Sequence, residues 1–254
     1  MLIAIDIGNS TINIGFFTKS GLLVQKMDTH PLLSPAKYSA LVNGFIKENN
    51  VGEKPEGIII SSVVPSHTKV LRKALKGLTG REPFIVSCKI RTGLTFNIPN
   101  PEKLGSDRIA NAAAAYECYK CPVAAVDFGT ATTISIVDKK ATYIGGTIMP
   151  GIRLMNESLA QGTSKLSEVY VKPPISALGN NTVRCIQSGL FYGTAGAIER
   201  ILGEIEKEAD IKLKVVITGG YGGLISKFLK RKHDFSPDLT LEGLRILYNR
   251  NSDA

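Results

Sequence analysis

The sequence has few of the residues that several classes of protein depend on. It contains four cysteines, and its single CxxC pair, Cys118 and Cys121, has no second pair or histidine cluster to complete a zinc site. The thioredoxin-like context that would make this pair a redox motif is missing as well. Four cysteines without a disulfide pattern suit a reducing cytosol.

No segment of the given sequence resembles a signal peptide or a membrane-spanning helix. The amino terminus lacks the basic region of a signal peptide, and Asp6 interrupts its first apolar run. No apolar segment approaches the roughly 20 residues that a membrane-spanning helix needs. We therefore expect a cytoplasmic protein that has no membrane partner.

The familiar nucleotide-binding loops do not occur. The sequence has neither GxxxxGK[ST] nor GxGxxG, which excludes the P-loop and the Rossmann fingerprint. The formal charge is +9, but the basic residues are scattered and no nucleic-acid motif accompanies them. This charge indicates a solvated basic surface, or a field that attracts an anionic small substrate, and we expect no nucleic-acid partner.

One sequence motif occurs twice in the chain, whose composition is that of an ordinary globular protein. The chain reads IAIDIGNST from Ile3 to Thr11 and AAVDFGTATT from Ala124 to Thr133. Each apolar run predicts a buried strand, and each is followed by a tight turn and a returning strand. Helices and strands then follow in both halves. The pattern predicts a duplicated α/β unit, with domains at residues 1–119 and 120–254.

The repeated Asp-x-Gly turn suggests a phosphate site. Gly8 and Gly129 would let a phosphate approach the backbone without a Cβ in the way. A carboxylate does not bind phosphate directly, so Asp6 and Asp127 make chemical sense only with a cation between. Either turn alone is better explained as a plain turn made of good turn residues. The two motifs align at Asp6/Asp127, Gly8/Gly129 and Thr11/Thr132. This coincidence favours two hairpins that face each other and clamp a nucleotide across an interdomain cleft.

A third element, Gly105-Ser106-Asp107-Arg108, lies where a loop becomes a helix. The helix amino terminus and the adjacent Arg108 both favour an ionised Asp107. Asp107 would then be a weak base that positions a hydroxyl proton, which suffices for phosphoryl transfer. The alternative is a carboxylate that only stabilises the helix start. The glycine run at 219–223 is either a bed for a purine or a flexible turn.

Taken together, these motifs resemble those of the type III pantothenate kinase family. They occur in the family's order along nearly the whole chain: Asp6–Ser10, Gly105–Arg108, Asp127–Thr133, Gly145–Gly151, Gly179–Thr182, Gln187–Gly189 and Asp238–Leu244. The resemblance implies an α/β fold of two ribonuclease-H-like domains in an actin-like architecture. It also implies a homodimer that phosphorylates pantothenate with ATP and Mg²⁺, the first step towards coenzyme A.

The resemblance also assigns roles to residues. Asp107 is the expected catalytic residue, and Asp127 matches a site for a monovalent cation, K⁺ or NH₄⁺. Asp6 is expected to reach Mg²⁺ through phosphate. The residues expected at ATP are Asp6, Ile7, Gly8, Asn9, Ser10, Thr11, Ile12, Asn13 and Thr130. The residues expected at pantothenate are Ile98, Gly105, Ser106, Asp107, Arg108 and Thr182, the last across the dimer interface.

The chain departs from the family pattern at a few positions. Ile98 stands where the family usually has Tyr, Ser10 where Thr is common, and Ser106 where Ala is frequent. Ile98 leaves open a kinase or phosphohydrolase of the same superfamily acting on a sugar or polyphosphate. The +9 charge leaves open a non-catalytic nucleic-acid or regulatory binding protein. The three carboxylates favour the kinase.

Overall fold

The structure is a computed structural model that describes residues 1–252 of the chain. The chain folds into two compact units. The first comprises Met1–Ala114 and the chain from Leu239 onwards, and the second comprises Ala115–Asp238. The last helix thus belongs with the first unit, whereas the sequence pattern assigns it to the second domain. The boundary between residues 119 and 120 stays a prediction, and residues 253 and 254 lie outside the described part.

The first unit contains a five-stranded mixed sheet. Its strands are β1 (Leu2–Ile7), β2 (Thr11–Thr18), β3 (Gly21–Asp28), β4 (Gly57–Ser62) and β5 (Phe84–Ile85). They lie in the order β3-β2-β1-β4-β5. β1 pairs with β2 antiparallel and with β4 parallel, so Asp6 lies opposite both Asn13 and Ser61.

Helices cover both faces of this sheet. They are α1 (Pro35–Glu48), α2 (Pro65–Thr79), α3 (Ser106–Tyr119) and α7 (Leu239–Ser252). A short strand, β6 (Thr95–Phe96), and a 3₁₀ turn at Pro101–Lys103 precede α3 in the chain. Ile3, Ile5 and Ile7 pack in the cluster with α1 and α2. Leu2 and Ala4 pack in the cluster with α3 and α7. Burial on both faces explains why the first strand is apolar without alternation.

The second unit repeats this arrangement in its own sheet. Its strands are β7 (Val123–Phe128), β8 (Ala131–Val137), β9 (Thr142–Pro150), β10 (Lys214–Thr218) and β11 (Asp234–Phe235), and its helices are α4 (Ile152–Gly162), α5 (Thr182–Ala209) and α6 (Gly222–Ile225), followed by a 3₁₀ turn at Ser226–Phe228. The strands lie in the order β9-β8-β7-β10-β11. The order and directions match those of β3-β2-β1-β4-β5, which confirms the predicted α/β class and duplication.

Candidate active site

The first Asp-x-Gly turn joins β1 to β2. Its end is closed by the N–H of Gly8, which donates to the carbonyl of Thr11 at 3.0 Å. A Cβ on Gly8 would lie 3.1 Å from that same carbonyl oxygen, so the turn has little room for a side chain there. Asp6 lies on the preceding strand and accepts a hydrogen bond from the Ser61 hydroxyl at 2.9 Å.

A buried threonine braces this turn from behind. The Thr29 hydroxyl donates to the Gly8 carbonyl at 2.7 Å, and its N–H donates to the Ser10 carbonyl at 3.0 Å. Nε2 of the buried His67 lies 2.6 Å from the Thr29 carbonyl oxygen, which can only accept, so Nε2 carries the proton. No local sequence pattern marks Thr29 and His67 as part of this turn, because they lie 21 and 59 residues beyond Gly8.

The second Asp-x-Gly turn joins β7 to β8 and is one residue shorter. The strand register pairs Ile7 with Ile12 around the first turn, but Phe128 with Thr132 around the second. Thr132 is therefore the structural counterpart of Ile12, and its aligned partner Thr11 is not its equivalent. The hydroxyl of Thr132 is buried and has no hydrogen-bond partner among residues 1–252.

Two glycines let neighbouring strand ends approach the second turn. The N–H of Gly151 donates to the Thr130 carbonyl at 3.0 Å, and a Cβ on Gly151 would lie 2.3 Å from the Gly129 carbonyl oxygen. Gly219 has φ +90°, and a Cβ there would lie 2.4 Å from Oδ1 of Asp127. The glycine at 219 is thus required by close packing against β7. A role in binding a purine stays a prediction.

Asp107 lies in the first turn of α3. One of its carboxylate oxygens, Oδ1, is buried and has no hydrogen-bond partner in the described part of the chain. A Cβ on Gly105 would lie 2.4 Å from this oxygen, so only glycine leaves the carboxylate its place. The preceding residue, Ser106, points its hydroxyl at β4, where it accepts from the Ser62 N–H at 2.8 Å.

Burial raises the pKa of Asp107 above the ordinary range for aspartate. Backbone N–H groups and the charge of Arg108 act in the opposite direction, but they do not outweigh the loss of solvation. The expectation that helix and arginine make Asp107 a weak base is therefore wrong in direction. A raised pKa makes this carboxylate a better proton acceptor at neutral pH than an exposed aspartate.

Of the other residues predicted at pantothenate, Ile98 and Arg108 lie in the first unit and Thr182 lies in the second. Ile98 is half-buried in the loop between β6 and the 3₁₀ turn, and Arg108 is half-buried in α3. Thr182 is the exposed first residue of α5, where Asn181 caps the helix by accepting from the Arg184 N–H at 3.0 Å. With Lys172 and Gln187, it lines a cavity of about 570 Å³ in the second unit.

The sequence also matches known proteins. A family described as type III pantothenate kinase matches residues 2–204. A type III pantothenate kinase from Geotalea uraniireducens is 38% identical over 256 residues, covering 100% of both chains. Another, from Agathobacter rectalis, is 36% identical and covers 99% of this chain and 98% of its own. The chain belongs to the type III pantothenate kinase family.

Members of this family are kinases that phosphorylate pantothenate in coenzyme A biosynthesis.

Solved structures share the fold at low identity. A protein described as a Baf family transcriptional activator from Campylobacter jejuni has a TM-score of 0.62 at 21% identity, covering 99% of this chain and 100% of its own. An inorganic polyphosphate/ATP-glucomannokinase from Arthrobacter has a TM-score of 0.51 at 15% identity, covering 100% and 99%. These likenesses confirm the predicted actin-like fold.

Proposed function

We propose that the chain transfers the γ-phosphate of ATP to the primary hydroxyl of pantothenate, and that Asp107 is the proton acceptor. Family membership supports the overall reaction. One observation carries the role of Asp107: a buried carboxylate oxygen without a partner among residues 1–252, at the start of a helix. A buried acceptor without a donor costs stability, and such groups are typical of functional sites.

The proposed step needs only one proton movement by the protein. The hydroxyl oxygen of pantothenate forms a bond to the γ-phosphorus, and the bond to the bridging oxygen breaks so that ADP leaves with the electron pair. The hydroxyl proton passes to Oδ1 of Asp107. Because burial raises the pKa of Asp107, the carboxylate holds this proton better than a solvated aspartate would.

The first Asp-x-Gly turn is the proposed phosphate site. Residues 6–13 would present backbone N–H groups and small polar side chains to the ATP phosphates, and Mg²⁺ would neutralise phosphate charge there. The donor set fits a metal held mainly by phosphates and water. Among residues 1–252, no cluster of three or more His, Cys, Asp or Glu side chains could hold a metal ion. Asp6 would supply one carboxylate to the Mg²⁺.

The brace behind this turn gives a first prediction. Thr29→Val keeps the side-chain shape but leaves the Gly8 carbonyl without its hydroxyl donor. We expect the KM for ATP to rise about five- to tenfold, since one buried hydrogen bond is lost, while kcat changes little. Steady-state kinetics with varied ATP measure this. The control is Thr18→Val, which removes a similar hydroxyl-to-carbonyl bond at the far end of β2 and should leave the KM for ATP unchanged. Equal KM values for the two variants would contradict a role of Thr29 in supporting the turn.

The second turn is the proposed site of Thr130 contact with the nucleotide and of a monovalent cation at Asp127. Its chemistry fits K⁺ or NH₄⁺, which take oxygen ligands, because a carboxylate and the backbone carbonyls of the same turn lie together. The neighbouring Thr132 hydroxyl is buried and has no partner in residues 1–252, which adds an oxygen donor near this turn.

The pantothenate site is proposed to use charge and close backbone approach. Arg108 would pair with the substrate carboxylate, because a guanidinium binds carboxylates in a bidentate fashion. Gly105 and Ser106 would bring the backbone of the helix start to the substrate. Ile98 contributes an apolar contact in place of a tyrosine hydroxyl, and Thr182 is the proposed contact across a dimer interface.

A homodimer is proposed for an exposed apolar stretch of the second unit. Tyr170, Ile175 and Leu178 are 81%, 86% and 86% exposed, which is unusual for large apolar side chains in sequence so close together. The following helix, α5, has an open strip at Gly189 and Gly193. A Cβ at either position would meet no atom of residues 1–252 within 4 Å, apart from the helix's own backbone and the chain neighbours. Small residues four apart allow a partner helix to approach closely. A second copy of the chain fits both features.

The dimer gives a second prediction. Ile175→Asp places a charge in the apolar stretch and is expected to convert the dimer to a monomer, because burying an unpaired carboxylate is costly. Light scattering after size-exclusion chromatography measures the mass. Leu32→Asp changes an exposed leucine of the first unit and should leave the mass unchanged. A parent chain that is monomeric at micromolar concentration would contradict the proposal.

A coupled assay for ADP release tests the function. The reaction contains ATP, Mg²⁺ and either K⁺ or NH₄⁺, with pantothenate or members of a sugar and polyphosphate panel as acceptor. We expect turnover only with pantothenate and stimulation by the monovalent cation. Turnover with a sugar instead would overturn the substrate, and no turnover with any acceptor would overturn the activity of this chain.

The cellular location is proposed to be the cytoplasm, where ATP and the enzymes of coenzyme A synthesis operate. Within residues 1–252, none of the helices combines the length and the apolar character that crossing a bilayer requires.

A further inference from the structure

A row of buried hydroxyls connects Asp6 to the helix that carries Asp107. The Ser61 hydroxyl donates to Oδ1 of Asp6 at 2.9 Å, and it lies 3.0 Å from the Ser106 hydroxyl. The Ser106 oxygen also accepts from the Ser62 N–H at 2.8 Å and lies 3.1 Å from the Ser62 carbonyl. Ser61 and Ser106 are 0% and 7% exposed, so water does not compete at these bonds.

The number of protons on each group determines which group donates in each of these hydrogen bonds. An ionised carboxylate only accepts, so the single proton of Ser61 goes to Asp6. The proton between the two hydroxyls must then come from Ser106, which has one proton to give, either to Ser61 or to the Ser62 carbonyl. The charge on Asp6 favours the first choice, because each hydrogen bond in a chain polarises the next. The chain therefore runs from the Ser62 N–H through Ser106 and Ser61 to Asp6.

We propose that Ser61 and Ser106 are positioning residues that hold the Asp6 carboxylate for Mg²⁺-bound nucleotide and fix the start of the Asp107 helix to β4. This inference rests on the proposed function, in which the Asp6 carboxylate faces the Mg²⁺ that accompanies the ATP phosphates. Ser106 immediately precedes Asp107, so the bond that fixes Ser106 to β4 also fixes the residue that accepts the substrate proton. Ala at position 106 would leave the Ser62 N–H and the Ser61 oxygen without this partner.

The test measures affinity for the ATP analogue with an imido β,γ-bridge, by calorimetry with and without Mg²⁺. Ser61→Ala is expected to weaken binding of the Mg²⁺ complex about tenfold, the effect of losing a hydrogen bond to a charged group, and to leave metal-free binding unchanged. Ser106→Ala should have a smaller effect of the same kind. Because Ser106 acts on Asp6 through Ser61, the double variant should bind no more weakly than Ser61→Ala.

Two further variants separate positioning from general loss of structure. Ser106→Thr keeps the hydroxyl and should restore the affinity that Ser106→Ala loses, which also keeps the test decisive if Ser61→Ala does not fold. Ser39→Ala removes a part-buried hydroxyl that donates to the Ala74 carbonyl elsewhere in the first unit, and it should bind like the parent.

Several outcomes would overturn the proposal: multiplicative effects of the two alanine variants, equal losses with and without Mg²⁺, or parent-like binding by both. A parent chain whose nucleotide affinity ignores Mg²⁺ would also overturn it, together with the role of Asp6. A parent chain that binds the Mg²⁺ complex but does not turn over pantothenate would contradict the proposed substrate. In that case the effects of the serine variants on binding would still support the positioning role.

Discussion

Asp107→Asn is expected to abolish phosphoryl transfer and, at the same time, to raise the thermal stability of the protein. The amide cannot accept the hydroxyl proton, and loss of a general base typically lowers kcat by about 10²- to 10⁴-fold. The stability gain follows from the pKa of Asp107, which burial raises in the folded state. At neutral pH the folded protein carries a buried charge that the amide does not have.

The stability gained by Asp107→Asn should depend on pH. A carboxyl whose folded-state pKa is raised contributes stability that is complete below its unfolded pKa and is lost as pH rises through the folded pKa. The difference in melting temperature between Asp107→Asn and the parent should therefore be largest at pH 8 and shrink towards pH 4. Calorimetry across this range measures it, with Glu102→Gln as an exposed control that should show no shift. A variant less stable than the parent at pH 8 would contradict the argument.

The raised pKa also predicts how activity depends on pH. The parent kcat/KM should fall on the acid side with an apparent pKa above that of an ordinary aspartate, since only the ionised carboxylate accepts the proton. Glu102→Gln should show the same fall of kcat/KM at acid pH, because Glu102 is not the group that titrates. Loss of this fall in Glu102→Gln would contradict its assignment to Asp107.

The parts of the fold that could be predicted are those written in local sequence. A continuous apolar run ending in Asp-x-Gly determines a buried strand and its turn, so β1 and β7 were predictable. The start of α5 at Thr182 was predictable too, because Asn181 is a good capping residue. The predicted equivalence of Thr11 and Thr132 fails, since a difference of one residue in turn length cannot be read from an ungapped alignment.

The parts that could not be predicted depend on contacts between distant residues. Thr29 meets Gly8, Ser61 meets Ser106, and Thr240 donates to Asn111 at 2.7 Å across 129 positions of sequence. No local pattern marks such pairs. The direction of the Asp107 pKa belongs to the same group, because a helix start and an adjacent arginine are visible in sequence, whereas burial is a property of the packed fold.

The glycine run shows this limit most sharply and gives the second large prediction. Sequence alone treats Gly219 and Gly220 alike, but the structure separates them. A Cβ on Gly219 would lie 2.4 Å from Oδ1 of Asp127 and 2.6 Å from backbone atoms of Phe128, and its φ of +90° disfavours any L side chain. Gly219→Ala is expected to destabilise the protein by about 3 kcal/mol, from overpacking and backbone strain together.

The same substitution should affect the proposed cation site, because the backbone that must move carries Asp127. We expect Gly219→Ala to lose stimulation by K⁺ or NH₄⁺ in the ADP-release assay, in addition to its lower urea midpoint. Gly220→Ala is the matched control, because a Cβ there meets no atom of residues 1–252 within 4 Å beyond its chain neighbours. Its stability should change by less than about 0.5 kcal/mol, and its response to K⁺ should persist. If the two alanine variants behaved alike, the close approach of Gly219 to Asp127 would not be what holds the second turn in place.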